Sequence, residues 1–449
     1  MEGRAQADSW RRRALILCVV VGVFWTGLLA FKYFTFHYYD WDLAFNVQAL
    51  WHLVRGGQFV PLFGINFFGD HAAFLSFLLV PLFALFPSAL LLLVLKAVAF
   101  SVAAWLLYRF SEDLLGGWWG FWILCLFVFF PPNIFGLLYE FNYEVFAPPL
   151  IMAMFFSLRR RHVRGLILSG IFLLMVKENM PLVVLFFSIL ACLQANKRDR
   201  RILVLFSLFC LSYFLFCVLL FVPCQRGSAV HPFLSRYAFL VENMGGGKAS
   251  FLATFWGRGG EYVFNLFGPL FLAILSPGAL VPMLPLFLQH LLSSNFLEQT
   301  AFYYYGQTMA PFVFVAFVNL LNRVLGRPFF RQYAGVFRMF LSCVLAAWVI
   351  LYAGEIRLFS VGTISDVPAI WRIVHQIPRD EGVVATFRFL PVLAAREELY
   401  AFHKIYSQDF QDSEKMREGA FFDGRGPFRL PRHIRYALID LDDPWISVA

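Results

Sequence analysis

Charge is what this chain has least of. Asp, Glu, Lys and Arg make up 14% of its 449 residues, against roughly 25% in a soluble globular chain. Cysteine is sparse too, with seven in all. Cys18, Cys125, Cys192, Cys210, Cys217 and Cys343 lie inside apolar runs and Cys224 ends one, while the three longest polar stretches hold none. That placement excludes a disulfide framework and leaves no zinc-ligand spacing. The 31 glycines show no collagen-like period. What is present is apolar: 60% of the residues are hydrophobic, 19% are aromatic and 57 are Phe. Such a composition excludes intrinsic disorder and exceeds what a water-soluble core needs. The chain is expected to be a mainly α, polytopic membrane protein.

The formal charge of +9 does not point to nucleic acid. Its basic residues sit in short clusters between long apolar runs, which is how cytoplasmic loops are marked. The first run, 14–34, follows Arg11-Arg12-Arg13 and has no small-residue cleavage site after it. It therefore reads as a retained first helix with the N-terminus in the cytoplasm. A span takes about 20 apolar residues. Further spans are expected near 88–109, 118–138, 145–158, 163–176, 180–195, 201–222, 262–276, 279–292, 303–322 and 334–353, which makes about eleven. The loops this puts in the cytoplasm carry Arg109, then Arg159, Arg160, Arg161 and Arg164, then Lys197, Arg198, Arg200 and Arg201, then Arg323, Arg327 and Arg331. The opposite loops carry only Arg55, Arg226, Arg236, Lys248 and Arg258.

The run 73–86 contains Pro81 and reads as a juxtamembrane or re-entrant helix. Counted instead as a full span, it inverts everything after it. The expected division is a transmembrane domain over 1–353, its outer loop with juxtamembrane helices over 36–87, and a small extracytoplasmic α/β domain over 354–449. In that tail 383–387, 399–402 and 436–441 read as short β-branched or aromatic strands, with a helix over 390–398. The location is the cytoplasmic (inner) membrane.

Ionisable residues at membrane depth are functional candidates by default. Asp40 and Asp42 follow the first helix, His71 precedes the re-entrant run, Glu140 and Glu144 lie between two apolar runs, and Lys177-Glu178 interrupts another. On the expected topology all lie at the outer boundary. Each also has a plainer reading. Asp40 and Asp42 serve equally as solvated charges or a cap for a helix over 43–54, Glu140 as a solvated loop carboxylate, and Lys177 and Glu178 as mutual neutralisers. A lone His71 serves as a structural hydrogen-bonding residue, and Lys96, mid-span, faces a cavity or snorkels. Together the acids and cations suit transfer of a sugar from a polyprenyl phosphate. A carboxylate takes the acceptor's proton and cations hold the departing phosphate. Asp42 and Glu144 also suit a bridging Mg or Mn ion. The lipid donor and membrane lipids are the expected partners; sugar and acceptor stay open, and no nucleic acid is expected.

Several motifs carry a resemblance. They are Asp42-Leu43-Ala44 with Gln48-Ala49-Leu50-Trp51, His71, Glu144 before Ala147-Pro148-Pro149-Leu150, and Val176-Lys177-Glu178-Asn179. Later come Leu292-Ser293-Ser294-Asn295, Tyr303-Tyr304-Tyr305 leading to Ala310-Pro311, and Asp380-Glu381-Gly382-Val383. In this order and spacing the chain, from about residue 36 onward, resembles a prokaryotic family of polytopic membrane proteins of unknown function related to the GT-C glycosyltransferases. Asn142-Tyr143 stands where that family has His-Pro, and Asn179 where it has Asp. More distantly the layout is similar to lipid A aminoarabinose transferases and protein mannosyltransferases. The resemblance implies a GT-C fold and an inverting transfer. Asp42 would be base or acceptor-orienting carboxylate, Glu144 a second acid and Lys177 the phosphate partner, with His71, Glu178, Asp40 and Glu140 in the substrate site. A transporter or flippase for a lipid-linked or anionic substrate, or a non-catalytic scaffold, are the alternatives.

Overall fold

A computed structural model describes residues 2–237, 259–300, 303–354, 356, 366–402, 434–441 and 443. The chain is mainly helical. Helix α1 (Glu2–Phe34) is apolar around much of its circumference. Ala14, Cys18, Val21, Trp25 and Leu29 face the bundle, while Leu15, Val19, Val20, Val23 and Phe24 are exposed. A helix hydrophobic on every side belongs in lipid or in a large core, and the exposure of these side chains selects lipid.

After α1 come α2 (Asp42–Val54), the short hairpin β1 (Phe59–Val60) and β2 (Ile65–Asn66), and α3 (Ser76–Leu85). Helix α4 (Ala89–Leu115) starts at Ser88, whose hydroxyl accepts from the Leu90 N–H, and stops at Gly116, where a φ of +85° ends the helix. Helices α5 (Gly117–Val128) and α6 (Pro131–Leu138) form one broken span bent by 50°. The break falls where Pro131 and Pro132 withhold backbone donors and cannot continue α5. Gly136 lets α6 pack closely on 305–325, since a Cβ there would meet Gln307 at 2.5 Å. Then follow α7 (Ala147–Arg159), α8 (Val163–Leu174), α9 (Met180–Gln194) and α10 (Lys197–Phe216). The helix Tyr305–Leu325 is the most buried of the long ones and forms the centre of the bundle.

Among the described residues five helices are long and apolar enough to cross a membrane: Gln6–Phe34, Ala89–Leu115, Lys197–Arg226, Tyr305–Leu325 and Ala334–Leu351. The bent pair α5–α6 brings the number to six. The other expected spans are represented by shorter apolar helices, among them Val163–Leu174, Met180–Gln194 and Gly259–Leu275. The segment 279–292 is broken into 3₁₀ turns and one eight-residue helix, Leu284–Leu291. Pro277, Pro282 and Pro285 interrupt its hydrogen-bond ladder, which hydropathy alone does not register. The run 73–86 is likewise short, with ten helical residues around Pro81.

The two ends of the bundle differ. At one, Arg11 Nε donates to both carboxylate oxygens of Glu112 (2.9 and 3.0 Å), Arg109 joins the same carboxylate, and Arg160 reaches Asp113. At the other, Lys32 donates to the Leu138 carbonyl at 2.6 Å. Arg11 and Lys32 stand 21 residues apart on one helix, about 31 Å at the α-helical rise, which is close to the roughly 30 Å of a bilayer's hydrocarbon.

Near the C-terminus β3 (Val383–Ala385), β4 (Leu399–Ala401) and β5 (Tyr436–Leu438) form a parallel sheet in the order β4-β3-β5. The helix expected over 390–398 spans Leu390–Leu393 only. Past it the buried Arg396 guanidinium donates to the carbonyls of Leu393, Pro378 and Glu381, holding the chain in a turn instead. These elements lie against the juxtamembrane segment. Gln48 donates to the Glu397 carbonyl (3.3 Å), Arg388 to the Tyr39 hydroxyl (2.8 Å) and Trp371 Nε1 to the Phe34 carbonyl (2.8 Å).

Candidate functional site

At the end of the bundle away from the Arg11–Glu112 pair lies a cavity of about 460 Å³, within the roughly 300–1,000 Å³ usual for small-molecule sites. Five of the seven candidate side chains line it: Asp40, Asp42, His71, Glu144 and Lys177. Glu140 and Glu178 do not, and each works from behind the wall.

The acidic side is assembled around the end of the broken span. Glu140 accepts the N–H of Asp40 (2.9 Å) and of Leu43 (2.8 Å), so its carboxylate brackets the loop carrying both aspartates. The Tyr139 hydroxyl lies 2.7 Å from Asp40 Oδ2 and 3.1 Å from Asp42 Oδ2. Asp42 is the first residue of α2, whose cap residue Trp41 makes no side-chain cap bond; the first-turn N–H of Leu43 is taken by Glu140, and Asp40 accepts the Trp41 N–H at 2.9 Å. Lys96, buried in α4, donates to the carbonyls of Tyr139 (2.6 Å) and Glu140 (3.0 Å) and fixes the bracket from below. It neither snorkels nor reaches the cavity lining.

Crowding three carboxyls together has an electrostatic consequence. Burial pushes Asp42 well above the ordinary carboxylate range, and the charges of Asp40, Glu140 and Asp70 push the same way. Asp40 is raised by burial against the hydrogen bonds it accepts. Glu140 is raised to about 8 by burial and then by Asp40, despite its two backbone donors.

The cationic side comes from other segments. Lys177 donates to Glu144 Oε2 at 3.3 Å. Burial works to lower its pKa, but the carboxylates of Glu144 and Glu178 outweigh that and raise it. Glu178 turns the other way. Oε1 lies 2.9 Å from His71 Nδ1, and Oε2 accepts the Ala72 N–H at 3.0 Å. Lys177 and Glu178 thus take separate partners rather than simply neutralising each other.

Pattern reading passed over several lining groups. His231 and Arg236 sit in a segment that reads as an outer loop, and Arg236 is paired with the buried Glu298. Trp41, Tyr139, Tyr303, Tyr304 and Tyr305 supply aromatic faces. Lys32, counted with the first apolar run, holds the end of α6 beneath the cavity. Of these, the triple tyrosine carried a signal in the sequence. Among the described residues no group of three or more His, Cys, Asp or Glu could hold a metal ion; a Mg or Mn ion at Asp42 and Glu144 would need a substrate phosphate to complete its ligands.

A cavity with carboxyls and cations in its lining, at one end of an apolar bundle, is suited to binding a ligand that carries an anionic group. Comparison with curated proteins finds no match. Residues 32–423 match the family described as Predicted membrane protein (DUF2079), a stretch holding every cavity residue named above. The chain belongs to that family of membrane proteins.

Proposed function

We propose that the chain is a membrane glycosyltransferase of GT-C type, moving a sugar from a polyprenyl-phosphate donor to an acceptor at the extracytoplasmic face of the cytoplasmic membrane. One observation carries the reading: Asp40 and Asp42 share a cavity with Lys177, Arg236 and His71. That cavity lies a bilayer's thickness from the arginine-rich end. The positive-inside rule puts that arginine end in the cytoplasm, which favours an outward cavity. On this reading 1–353 is the catalytic membrane domain and 354–449 an extracytoplasmic domain closing against α2.

The chemistry follows from the placement. The acceptor's O–H or N–H loses its proton to the Asp42 carboxylate as its heteroatom bonds to the anomeric carbon. The bond from that carbon to the phosphate oxygen breaks, and the electron pair leaves with polyprenyl phosphate, so configuration inverts. Lys177 and Arg236 stabilise that anion where charge develops. Tyr139 orients Asp42 and Asp40. A general base works best with a pKa near the operating pH, and burial moves Asp42 in that direction.

The test uses the full chain in nanodiscs with polyprenyl-phosphate sugars and a panel of lipid, glycan and peptide acceptors. Transfer is expected, and Asp42→Asn should slow it by about 100-fold or more. Equal turnover in the variant removes Asp42 from the mechanism. The 50° break in α5–α6 beside the site also suits a flippase, since broken helices commonly build transporter sites. Translocation of the intact donor without transfer would select that reading.

A further inference from the structure

The pairing of His71 with Glu178 is not used by the reaction as described above. Glu178 is buried, accepts the Ala72 N–H on one oxygen and meets His71 Nδ1 with the other. A carboxylate takes a proton only from a donor, so Nδ1 carries hydrogen and Nε2 is the atom left for exchange. The imidazole is about one-third exposed and lines the cavity. Its Nε2 edge lies 3.8 Å from Asp70 Oδ2. A second histidine stands behind the same carboxylate. His231 Nδ1 accepts the Phe233 N–H at 3.1 Å, leaving its Nε2 3.6 Å from Glu178 Oε1 with no hydrogen-bond partner. The groups facing His71 are therefore Asp70, Glu178 and His231, with Lys177 next along the chain.

We infer that His71 is a second proton-transfer group of the cavity, serving the departing phosphate, and that Glu178 is its positioning residue. The inference deepens the transferase reading and rests on it for the reaction. The placement is what singles out the phosphate. His71 lines the cavity together with its cationic residues Lys177 and Arg236, while Asp42 is held by Tyr139 beside Asp40. During transfer the acceptor proton passes to Asp42 and the imidazolium Nε2–H passes to a phosphate oxygen as the carbon–oxygen bond breaks. His71 is left neutral and Asp42 protonated, and the two return to their starting states by exchanging one proton with solvent. Glu178 stays ionised throughout. Burial works to raise its pKa, yet His71, His231 and Lys177 together lower it.

The test separates the dyad from the transferase reading. The full chain in detergent is labelled with diethyl pyrocarbonate, which reacts with neutral imidazole, and His71 is followed by peptide mass spectrometry across pH. The labelling midpoint should fall by about one pH unit in Glu178→Gln, because removing the carboxylate's charge disfavours the imidazolium. Undecaprenyl phosphate should protect His71 in the wild type. With a transferable donor, the alkaline fall in turnover should flatten in His71→Asn, with a rate loss of about 100-fold. An unchanged midpoint in Glu178→Gln overturns the dyad, and absent protection overturns the phosphate assignment. A shifted midpoint and protection in a protein that transfers nothing would uphold the inference and sink the transferase reading instead.

Discussion

Lys177 meets Glu144 at 3.3 Å across 33 residues of sequence, joining the turn between α8 and α9 to the 3₁₀ turn before α7. The side chains are 12% and 6% exposed, so the pair is shielded from the water that makes surface ion pairs weak. Removing one partner of a buried pair leaves a charge uncompensated, which costs about 3–5 kcal/mol. Lys177→Met and Glu144→Gln should each lower the thermal midpoint in detergent, and the double variant should regain most of the loss. Additive losses would show that the two do not act as a pair.

A pH dependence follows from Glu140. Its carboxyl in the folded chain is raised to about 8, above the usual value of about 4.3, so the fold favours the protonated form. The stabilisation is full below the ordinary carboxylate range and is lost as pH climbs through about 8. The thermal midpoint should therefore fall from about pH 4.3 up to about pH 8 and level off above that, and Glu140→Gln should flatten the fall. Asp40 and Asp42, raised by the same burial, leave a residual slope. A variant as pH-sensitive as the wild type would mean that Glu140 is ionised in the fold.

Lys96 lies about two turns into the apolar helix α4, with both Nζ contacts on carbonyls at the end of the broken span. Lys96→Met keeps the volume and strands those two acceptors, at about 1–3 kcal/mol each. It should lower the midpoint and also the turnover, because the Tyr139–Glu140 bracket holds Asp42. A stable variant with undiminished turnover would detach Lys96 from the site.

The membrane class, the candidate charges and the three strand segments were legible because each carries a local signal: apolar length, an ion inside an apolar run, or β-branched alternation. Asp42, Glu144 and Lys177 stood out for that reason, and the cavity brings them together. The number of spans was not legible in the same way. Val163–Leu174 and Met180–Gln194 have 12 and 15 helical residues, and hydropathy does not distinguish a short buried helix from a crossing one. His231 and Arg236 were hidden for the opposite reason. They lie in a polar stretch where a cation is unremarkable, and only the fold shows Glu178 and Glu298 waiting for them.

Orientation gives the last prediction. Cys224 is exposed on the helix Val222–Arg226, which packs at Gly69 beside Asp70 and so belongs to the cavity end. Asp8 is exposed near Arg11, at the opposite end. In whole cells, a chain whose other six cysteines are replaced by Ser should react at Cys224 with a membrane-impermeant maleimide. An otherwise cysteine-free chain carrying Asp8→Cys should react only after permeabilisation. The arginine clusters require this order if they lie in the cytoplasm. Labelling of Asp8→Cys in intact cells would turn the cavity to the cytoplasm, where an extracytoplasmic transfer from a polyprenyl-phosphate sugar has no place.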